Sequence, residues 1–314
     1  MKSRVAVVVL NWNGLEDTLR CVTALGELEG VAPRLIVVDN GSDLSPRAVL
    51  VERFPDVALI ENTENLGYAA GNNVGIRHAA SEGAELIWVL NNDAIPEKHA
   101  LAALIETAER HPRAGAVGSK VVYADRPDVI WATWGQISWL QSLVRLPGQG
   151  QRDDGRYDLE RRVPWIPGCS ILFRREAIAA VGLFDESFFA YHEDADWGAR
   201  AAEKNWESWY TGLSVVRHAV HGSSGGVAHY GGFRKYLSAR NSVLYARRHG
   251  SGPKKTLLTA SILATLPFQY ARRLASGEQA GVAIKVRGWR DGLEGRPIPF
   301  AELGLKKGSK GRKP

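Results

Sequence analysis

Residues 5–14 read VAVVVLNWNG, so a run of six apolar residues is followed directly by polar and small ones. A continuously apolar run of this length is typical of a strand whose two faces are both covered by helices, as in parallel sheets. Polar residues after such a strand lie where open α/β sheets bind their ligands. The stretch therefore predicts the first strand of an α/β fold, followed by a turn that faces a ligand.

The same pattern continues through the first 120 residues, where short apolar runs alternate with segments of helical spacing. This alternation predicts βα units on a mostly parallel central sheet flanked by helices. The predicted strands are 5–10, 35–39, 57–61 and 86–90, and the predicted helices are 15–25, 46–53, 68–80 and 97–110. Pro96 precedes the last helix, a position that favours a helix start. Beyond residue 125 we expect a less regular half with a strand at 209–217 and a helix at about 230–248.

Four of the strand ends carry polar sequences. They are Asn11-Trp12-Asn13-Gly14, Asp39-Asn40-Gly41-Ser42, the stretch from Asn62 to Gly67, and Asn91-Asn92-Asp93. None of them has the GxGxxG spacing of a dinucleotide site, and the sequence contains no P-loop. These absences argue against a dinucleotide-binding dehydrogenase.

The composition is that of an ordinary globular protein. The 314 residues are 45% hydrophobic and 24% charged, enough to bury a core in one large or two smaller domains. The two cysteines, Cys21 and Cys169, form neither a CxxC pair nor a metal-ligand cluster, which fits a reducing cytoplasm. The apolar run near Met1 is too short for a signal peptide, so we expect a cytoplasmic protein.

Charge is distributed unevenly along the chain. The net charge is +6, but residues 252–314 contain 13 Lys or Arg and 4 Asp or Glu, a net +9, which leaves −3 for residues 1–251. A basic tail predicts an anionic partner, and we favour phospholipid over nucleic acid because no nucleic-acid-binding module is present. The stretch 254–275 has apolar groups between basic ends and is too short to span a bilayer. It predicts a helix that either lies in the membrane interface or packs on the catalytic domain.

Two strand ends offer groups that suit a nucleotide-sugar. Asp39 could accept a hydrogen bond from the N3–H of a uracil or thymine ring, but a turn aspartate capping its own backbone would look the same. Asp93 offers a hard anionic oxygen to Mg²⁺ or Mn²⁺, and such a cation could neutralise a leaving diphosphate. Asn, Asp and Pro are also common turn residues, so a simple strand-to-helix turn is the alternative for Asn91-Asn92-Asp93.

Three carboxylates, Glu193, Asp194 and Asp196, lie within four residues. Like charges so close together are costly unless a cation, a helix N-terminus or a proton-transfer role compensates. We predict that Asp194 is a general base that takes the proton of an acceptor hydroxyl, with Glu193 and Asp196 supporting it. Asp196 is predicted to pair with Arg200 at i,i+4 spacing. An acidic helix start without catalytic meaning is the alternative.

Two histidines flank the end of the last predicted strand and lead into a Gly/Ser-rich loop at 222–226. A neutral imidazole of His218 or His221 could ligate the metal, and the loop could close over a bound diphosphate. A structural histidine is the alternative for either one.

Six stretches of the chain, taken in order, resemble successive blocks of the inverting family 2 of glycosyltransferases with the GT-A fold, in particular its bacterial rhamnosyltransferase-like branch. They are VVVLNWNG, VVDNGSD, ENLGYAAGNNVGI, LNNDA, WIPGCSILFRREAIAAVGLFDESFFAYHEDADWGAR and KYLSARNSVLYARRH. The resemblance covers most of residues 4–248. It implies a GT-A catalytic domain over 1–250, with a nucleotide-sugar half at about 1–120 and an acceptor half at about 121–250. Residues 251–314 then form a basic, partly amphipathic helical extension.

The resemblance also implies roles for residues on the donor side. Asn11 and Asp39 are expected to contact the nucleoside, and Asn72 and Asn73 to line the donor sugar or diphosphate. Asp93 is expected to be the metal ligand of a degenerate DXD motif, in which Asn91 stands where a strict motif has Asp.

On the acceptor side the resemblance implies Asp194 as the base, and it places Trp165 and Gly168 near the acceptor. It favours His218 as a second metal ligand, with His221 as the alternative. The expected reaction is inverting transfer of a sugar, from dTDP-rhamnose or a UDP-sugar, to a glycan or lipid-linked acceptor at the inner face of the membrane. A catalytically idle nucleotide-sugar-binding protein and a sugar-phosphate nucleotidyltransferase are the rival interpretations.

Overall fold

The computed structural model describes residues 4–140, 143–219, 232–274, 280–303 and 305. Its first half contains four parallel strands, in the spatial order β4-β1-β2-β3. They are β1 (Val5–Asn11), β2 (Arg34–Asp39), β3 (Ala58–Glu61) and β4 (Leu86–Asn91), and the helices between and after them are α1 (Leu15–Gly26), α2 (Arg47–Arg53), α3 (Gly67–Ser81) and α4 (Ala100–Arg110). All four predicted strands and all four predicted helices are confirmed, with ends that shift by up to three residues.

Strand β1 is buried on both faces, as its unbroken apolar sequence predicts. Val5, Val7 and Val9 belong to a core that includes α1 and α4, whereas Ala6 and Val8 belong to a core that includes α3. Because side chains alternate across a strand, two helical layers require apolar residues at every position.

The second half of the chain extends the sheet with a mixed set of strands. They are β6 (Ala114–Tyr123), β7 (Ile130–Ala132), β10 (Glu160–Val163), β11 (Ser170–Arg174) and β12 (Glu207–His218), while β8 (Gln136–Ile137) and β9 (Val144–Arg145) form a separate two-stranded antiparallel sheet. Strand β11 lies antiparallel between β4 and β6, and β12 runs parallel to β6. Helices α5 (Arg175–Val181) and α6 (Glu193–Glu203) follow β11. The predicted mostly parallel central sheet flanked by helices is confirmed.

A short strand after β4 was not predicted. Residues Ala94–Pro96 form β5, which pairs antiparallel with the end of β12 so that Ala94 lies opposite His218. The expected helix start beside Pro96 is therefore wrong, since this proline ends a strand and α4 begins at Ala100. A three-residue strand has too short a sequence to show a period, and only pairing with a distant partner forms it.

Three helices complete the described chain: α7 (Gly232–His249), α8 (Gly252–Leu274) and α9 (Ala280–Glu294). Helices α9 and α7 pack closely at Gly288. A Cβ added there would lie only 2.3 Å from the carbonyl oxygen of Tyr236. Helix α8 packs on the body through Leu258, Ile262 and Leu266, which recur every four residues. Among the described helices, none has the length and apolar character needed to cross a bilayer.

Other apolar residues of α8 face solvent. Leu257, Leu263, Phe268 and Tyr270 are all among the exposed large hydrophobic side chains. The predicted helix at 254–275 thus packs on the domain along one stripe and leaves apolar side chains exposed on either side of that stripe.

Candidate active site

A cavity of about 330 Å³ opens at the carboxyl ends of β1 and β4. Its lining includes Trp12 after β1, Asn91 and Asp93 after β4, and His218 at the end of β12. Glu193 and Asp194, at the start of α6, also line it. The cavity therefore brings together residues that lie far apart in the sequence and that the sequence singled out.

Asp194 is held in place by two backbone amides. The backbone N–H of Gly168 donates to its Oδ2 at 2.9 Å, and that of Ala195 donates to its Oδ1 at 2.7 Å. Burial raises the pKa of Asp194 to about 6, against the opposing effect of these two hydrogen bonds. A carboxylate with such a pKa is still ionised at neutral pH and is a stronger base than an exposed aspartate, which suits general-base chemistry.

Glu193 is a buried neighbour with fewer hydrogen-bond partners. Its side chain is 4% exposed, and its Oε2 has no hydrogen-bond partner among the described residues. Burial, followed by the charge of Asp194, raises the pKa of Glu193 well above its usual value. The two adjacent carboxyl groups thus lie in different environments, the kind of arrangement in which such groups can take different roles.

Asp196 points away from the cavity. Its Oδ2 accepts from Nε of Arg200 at 2.8 Å, which confirms the predicted i,i+4 pair, and its Oδ1 interacts with Nε2 of His249 at 2.9 Å. Burial opposes ionisation, but His249 and Arg200 keep the pKa of Asp196 below its usual value. Asp196 therefore ties α6 to α7 and can support Asp194 only through the position of that helix.

Asp93 and His218 form the pair that β5 brings together. Nε2 of His218 lies 2.9 Å from Oδ1 of Asp93, both side chains are at most 7% exposed, and Nδ1 of His218 is buried without a hydrogen-bond partner among the described residues. Nδ2 of Asn91 lies 3.4 Å from Nε2 of the same ring. Within the described ranges, no group of three or more His, Cys, Asp or Glu side chains could hold a metal.

A carboxylate oxygen and an imidazole nitrogen are both ligands for divalent ions, and Mg²⁺ commonly takes few protein ligands and completes its shell with phosphates and water. The pair of Asp93 and His218 thus fits a metal that a bound diphosphate would share. His221, the alternative ligand, lies outside the described residues, as does the Gly/Ser-rich loop at 222–226.

The nucleoside candidates Asn11 and Asp39 are bonded to each other. Nδ2 of Asn11 donates to Oδ1 of Asp39 at 2.7 Å, and the hydroxyl of Ser42 donates to the same oxygen at 2.6 Å. Both residues are buried and do not line the cavity, whereas their neighbours Trp12 and Asn40 do. The two side chains therefore brace the turns that face the cavity.

The sequence matches the family described as Glycosyl transferase family 2 over residues 6–182, more than half of the chain. The chain belongs to glycosyltransferase family 2.

Named relatives and solved structures agree with this membership. The chain is 31% identical over 214 residues to the N-acetylglucosaminyl-diphospho-decaprenol L-rhamnosyltransferase of Mycobacterium tuberculosis, covering 60% of this chain and 67% of that protein. It is 24% identical over 246 residues to the low-salt glycan biosynthesis hexosyltransferase Agl10 of Haloferax volcanii, covering 78% and 76% of the two chains.

Among solved structures, the mannosyltransferase PcManGT from Pyrobaculum calidifontis, in complex with GDP-Man and Mn²⁺, superposes with a TM-score of 0.58 at 21% identity, covering 93% of this chain and 88% of that chain. GalNAc-T7 with UDP, GalNAc and Mn²⁺ superposes with a TM-score of 0.59 at 13% identity, over 82% and 54% of the two chains. These likenesses confirm the GT-A fold, and family membership makes the protein a glycosyltransferase.

Two residues expected at the donor of this glycosyltransferase do not line the cavity. Asn72 and Asn73 are both fully buried in α3, and neither lines the cavity. Asn73 exchanges hydrogen bonds with the backbone N–H and carbonyl of Phe184, at 3.1 and 2.9 Å, so it secures the loop before α6. A donor contact of this pair stays a prediction. Asn40 and Asn65 line the cavity in their place.

The acceptor-side candidates Trp165 and Gly168 both line the cavity. The carbonyl of Gly168 accepts a hydrogen bond from the hydroxyl of Tyr68 at 2.6 Å, while its N–H holds Asp194. A Cβ at this position would lie 2.9 Å from the Tyr68 hydroxyl oxygen, so a side chain here would displace either Tyr68 or Asp194.

One positioning residue, Asn241 of α7, was missed by the sequence reasoning. The chain entering α6 takes left-handed backbone angles at Phe189, Tyr191 and His192, with φ of 61°, 71° and 73°, which are strained for residues other than glycine. Nδ2 of Asn241 lies 2.8–2.9 Å from the carbonyl oxygens of Phe188, Ala190 and Tyr191 and donates to them. The sequence offered no signal for this role, because both the burial of the amide and its partners beyond its own helix are visible only in the fold.

Proposed function

We propose that this protein transfers a sugar from a nucleoside diphosphate, dTDP-rhamnose or a UDP-sugar, to a hydroxyl of a glycan or lipid-linked acceptor, with inversion at the anomeric carbon. The observation that carries the proposal is that the carboxylate of Asp194 lines the same cavity as Asp93 and His218. One cavity then offers a base for the acceptor and ligands for the cation of the leaving group, as a single displacement requires.

In the proposed reaction Asp194 takes the proton of the acceptor hydroxyl while the hydroxyl oxygen bonds to the anomeric carbon. The bond from that carbon to the diphosphate oxygen breaks on the opposite face, so its electron pair leaves with the nucleoside diphosphate. The two amides that hold Asp194 keep the carboxylate oriented throughout. Fixing the base in this way lowers the entropic cost of reaching the transition state.

Asp93 and His218 would hold Mg²⁺ or Mn²⁺ in the proposed enzyme, and the bound ion would neutralise the charge that develops on the diphosphate. The structural neighbours crystallised with Mn²⁺ support a divalent metal. His221 stays the alternative ligand. Asn11 and Asp39 would shape the nucleoside end by bracing the turns on which Trp12 and Asn40 lie.

We propose that the protein works in the cytoplasm, at the inner face of the cell membrane. The relative from Mycobacterium tuberculosis is named for a decaprenol-linked substrate, which supports a lipid-linked acceptor here. Leu263 and Phe268 of α8 are 65% and 71% exposed, and Lys254 and Lys255 precede them on the same helix. Such a surface suits a peripheral contact with anionic lipid. Failure of the protein to sediment with phosphatidylglycerol vesicles would contradict this location.

The proposed function is tested by incubating the purified chain with Mn²⁺, an acceptor and a panel of UDP-, dTDP- and GDP-sugars. We expect one donor to release its nucleoside diphosphate and to yield a product whose new glycosidic bond has the configuration opposite to that of the donor, as read by proton NMR. Retained configuration would contradict a single displacement. Donor binding without release under any condition would instead indicate a catalytically idle binding protein.

A further inference from the structure

A second cavity, of about 830 Å³, adjoins the active-site cavity. It lies between the segment 143–151 on one side and helices α7 and α9 on the other. The two cavities share part of their walls, including Leu146, Gln149, His192 and Ser238. His192 directly precedes Glu193 and Asp194, so a molecule occupying the second cavity could extend to the base.

The second cavity differs from the first in its charged lining, although Arg234 lines both. Its lining contains three cationic side chains, those of Arg145, Arg234 and Lys285, and no Asp or Glu from the described part of the chain. Gln136, Gln151, Tyr157 and Ser242 add further hydrogen-bond donors. The active-site cavity, by contrast, is lined by Asp93, Glu193 and Asp194 among others. We therefore call this space the cationic cavity.

Lys285 and Arg145 lack a carboxylate partner in the described ranges. Nζ of Lys285 donates to Oε1 of Gln269 at 3.1 Å and lies 4.9 Å from the ring centroid of Trp289, so two of its three N–H groups have no described acceptor. Burial, followed by the nearby charge of Lys235, lowers the pKa of Lys285. Arg145, exposed on β9, makes no ion pair with any described residue. An anion in the cavity would supply the missing counter-charge.

Two residues that line the cationic cavity, Lys285 and Trp289, also contact helix α8. Gln269, the partner of Lys285, belongs to α8, and Trp289 packs against Ile262 and Leu266 of the same helix. An elongated substrate could therefore place one end at Asp194, an anionic middle in the cationic cavity and an apolar end toward the exposed side chains of α8.

We propose that the cationic cavity binds the diphosphate of a prenyl-diphosphate-linked sugar acceptor, and that Arg145 and Lys285 hold it. This inference rests on the proposed function and names the acceptor class for the same active site. A guanidinium can bind phosphate oxygens through two parallel N–H groups, whereas an ammonium acts as a compact charge. The sugar attached to the diphosphate then lies on the side of His192, with a hydroxyl directed to Asp194.

The inference is tested with two acceptors that differ in the diphosphate. Farnesyl-diphospho-N-acetylglucosamine carries it, and octyl N-acetylglucosaminide does not. We expect Arg145→Gln and Lys285→Gln each to raise the KM for the first acceptor by roughly tenfold, the usual size for one charge-assisted contact. The KM values for the second acceptor and for the donor should stay at the wild-type level. Arg290→Gln, an exposed residue on the same helix as Lys285, is the matched control and should change none of these values.

An equal rise in KM for both acceptors, a rise in the donor KM or no change at all would overturn the inference. Titration calorimetry of farnesyl diphosphate into the wild type and the same variants measures anion binding without sugar transfer. It therefore distinguishes a wrong cavity assignment from failure of the proposed function. If the wild type releases nucleotide from no donor, the proposed transfer fails, but weaker farnesyl diphosphate binding by Lys285→Gln would still support the anion site. If nucleotide is released and that binding is equal in wild type and variants, the cavity assignment alone is wrong.

Discussion

The pair Glu193 and Asp194 illustrates how two adjacent carboxyl groups acquire different properties. Both lie in the first turn of α6, where the helix dipole favours negative charge. Asp194 accepts two backbone N–H groups, which stabilise its ionised form, while one oxygen of Glu193 has no described partner. These hydrogen bonds favour the ionised form of Asp194, and the proposed base role of Asp194 rests on them.

The pH dependence of the reaction should report this assignment. Burial raises the pKa of Asp194 to about 6, so its protonated form dominates below that value and its ionised form above it. Since a base must be ionised to act, we expect kcat/KM to rise with pH through about 6 and then to level off. Initial rates at subsaturating donor and acceptor, between pH 4.5 and 8, give the profile. A flat profile, or one that falls through this range, would contradict the base role.

The types of side chain and their order along the chain indicated Asp93, Asp194 and His218 as candidate site residues. They did not indicate which other residues these side chains and their neighbours contact. Asn72 and Asn73 illustrate the limit, because a block that resembles a donor-lining segment gives no information on which face of α3 is buried. The role of Asn241 depends on three carbonyl groups about 50 residues earlier in the chain. No local pattern contains such information, since only the folded chain brings these groups together.

At the level of elements, the pairing of β5 with β12 creates the candidate metal site. The register places Ala94 opposite His218, so Asp93 at one end of the short strand meets the imidazole at the end of the long one. A further backbone hydrogen bond, from the N–H of Ala219 to the carbonyl of Asp93 at 2.9 Å, fixes the approach. The strands of the nucleotide-sugar half were predictable from their apolar runs, whereas β5 depends on a partner more than 100 residues away.

Loss of one ligand should weaken metal binding without disturbing the sheet. We expect His218→Ala to raise the Mn²⁺ concentration that gives half-maximal activity by roughly tenfold or more, in line with the losses caused by removing supporting groups of metal sites. Titration of activity with Mn²⁺ after chelation measures the effect. His111→Ala, a histidine stacked on Trp209 outside the cavity, is the control. An unchanged Mn²⁺ requirement in His218→Ala would assign the metal to other ligands, among which His221 is the first to test.

On the scale of the whole molecule, the C-terminal helices contribute to the active site as well as to a surface. Helix α7 holds the chain before α6 through Asn241 and binds Asp196 through His249. Helix α8 packs through Leu258 on a hydrophobic cluster that includes Tyr245 of α7, and it leaves Leu263 and Phe268 exposed. The sequence predicted a helical extension. Its contacts with the rest of the protein were not predictable, because they depend on how the helices are arranged in the fold.

The rate of sugar transfer by Asp194→Asn tests whether Asp194 deprotonates the acceptor. An asparagine keeps the size of the side chain but cannot take a proton. We expect kcat to fall by about 10²- to 10⁴-fold, the usual contribution of a general base, while the donor KM and the melting temperature change little. Glu203→Gln, an exposed carboxyl on the same helix, should transfer sugar at the wild-type rate. Transfer by a folded Asp194→Asn variant at the wild-type rate would contradict the account.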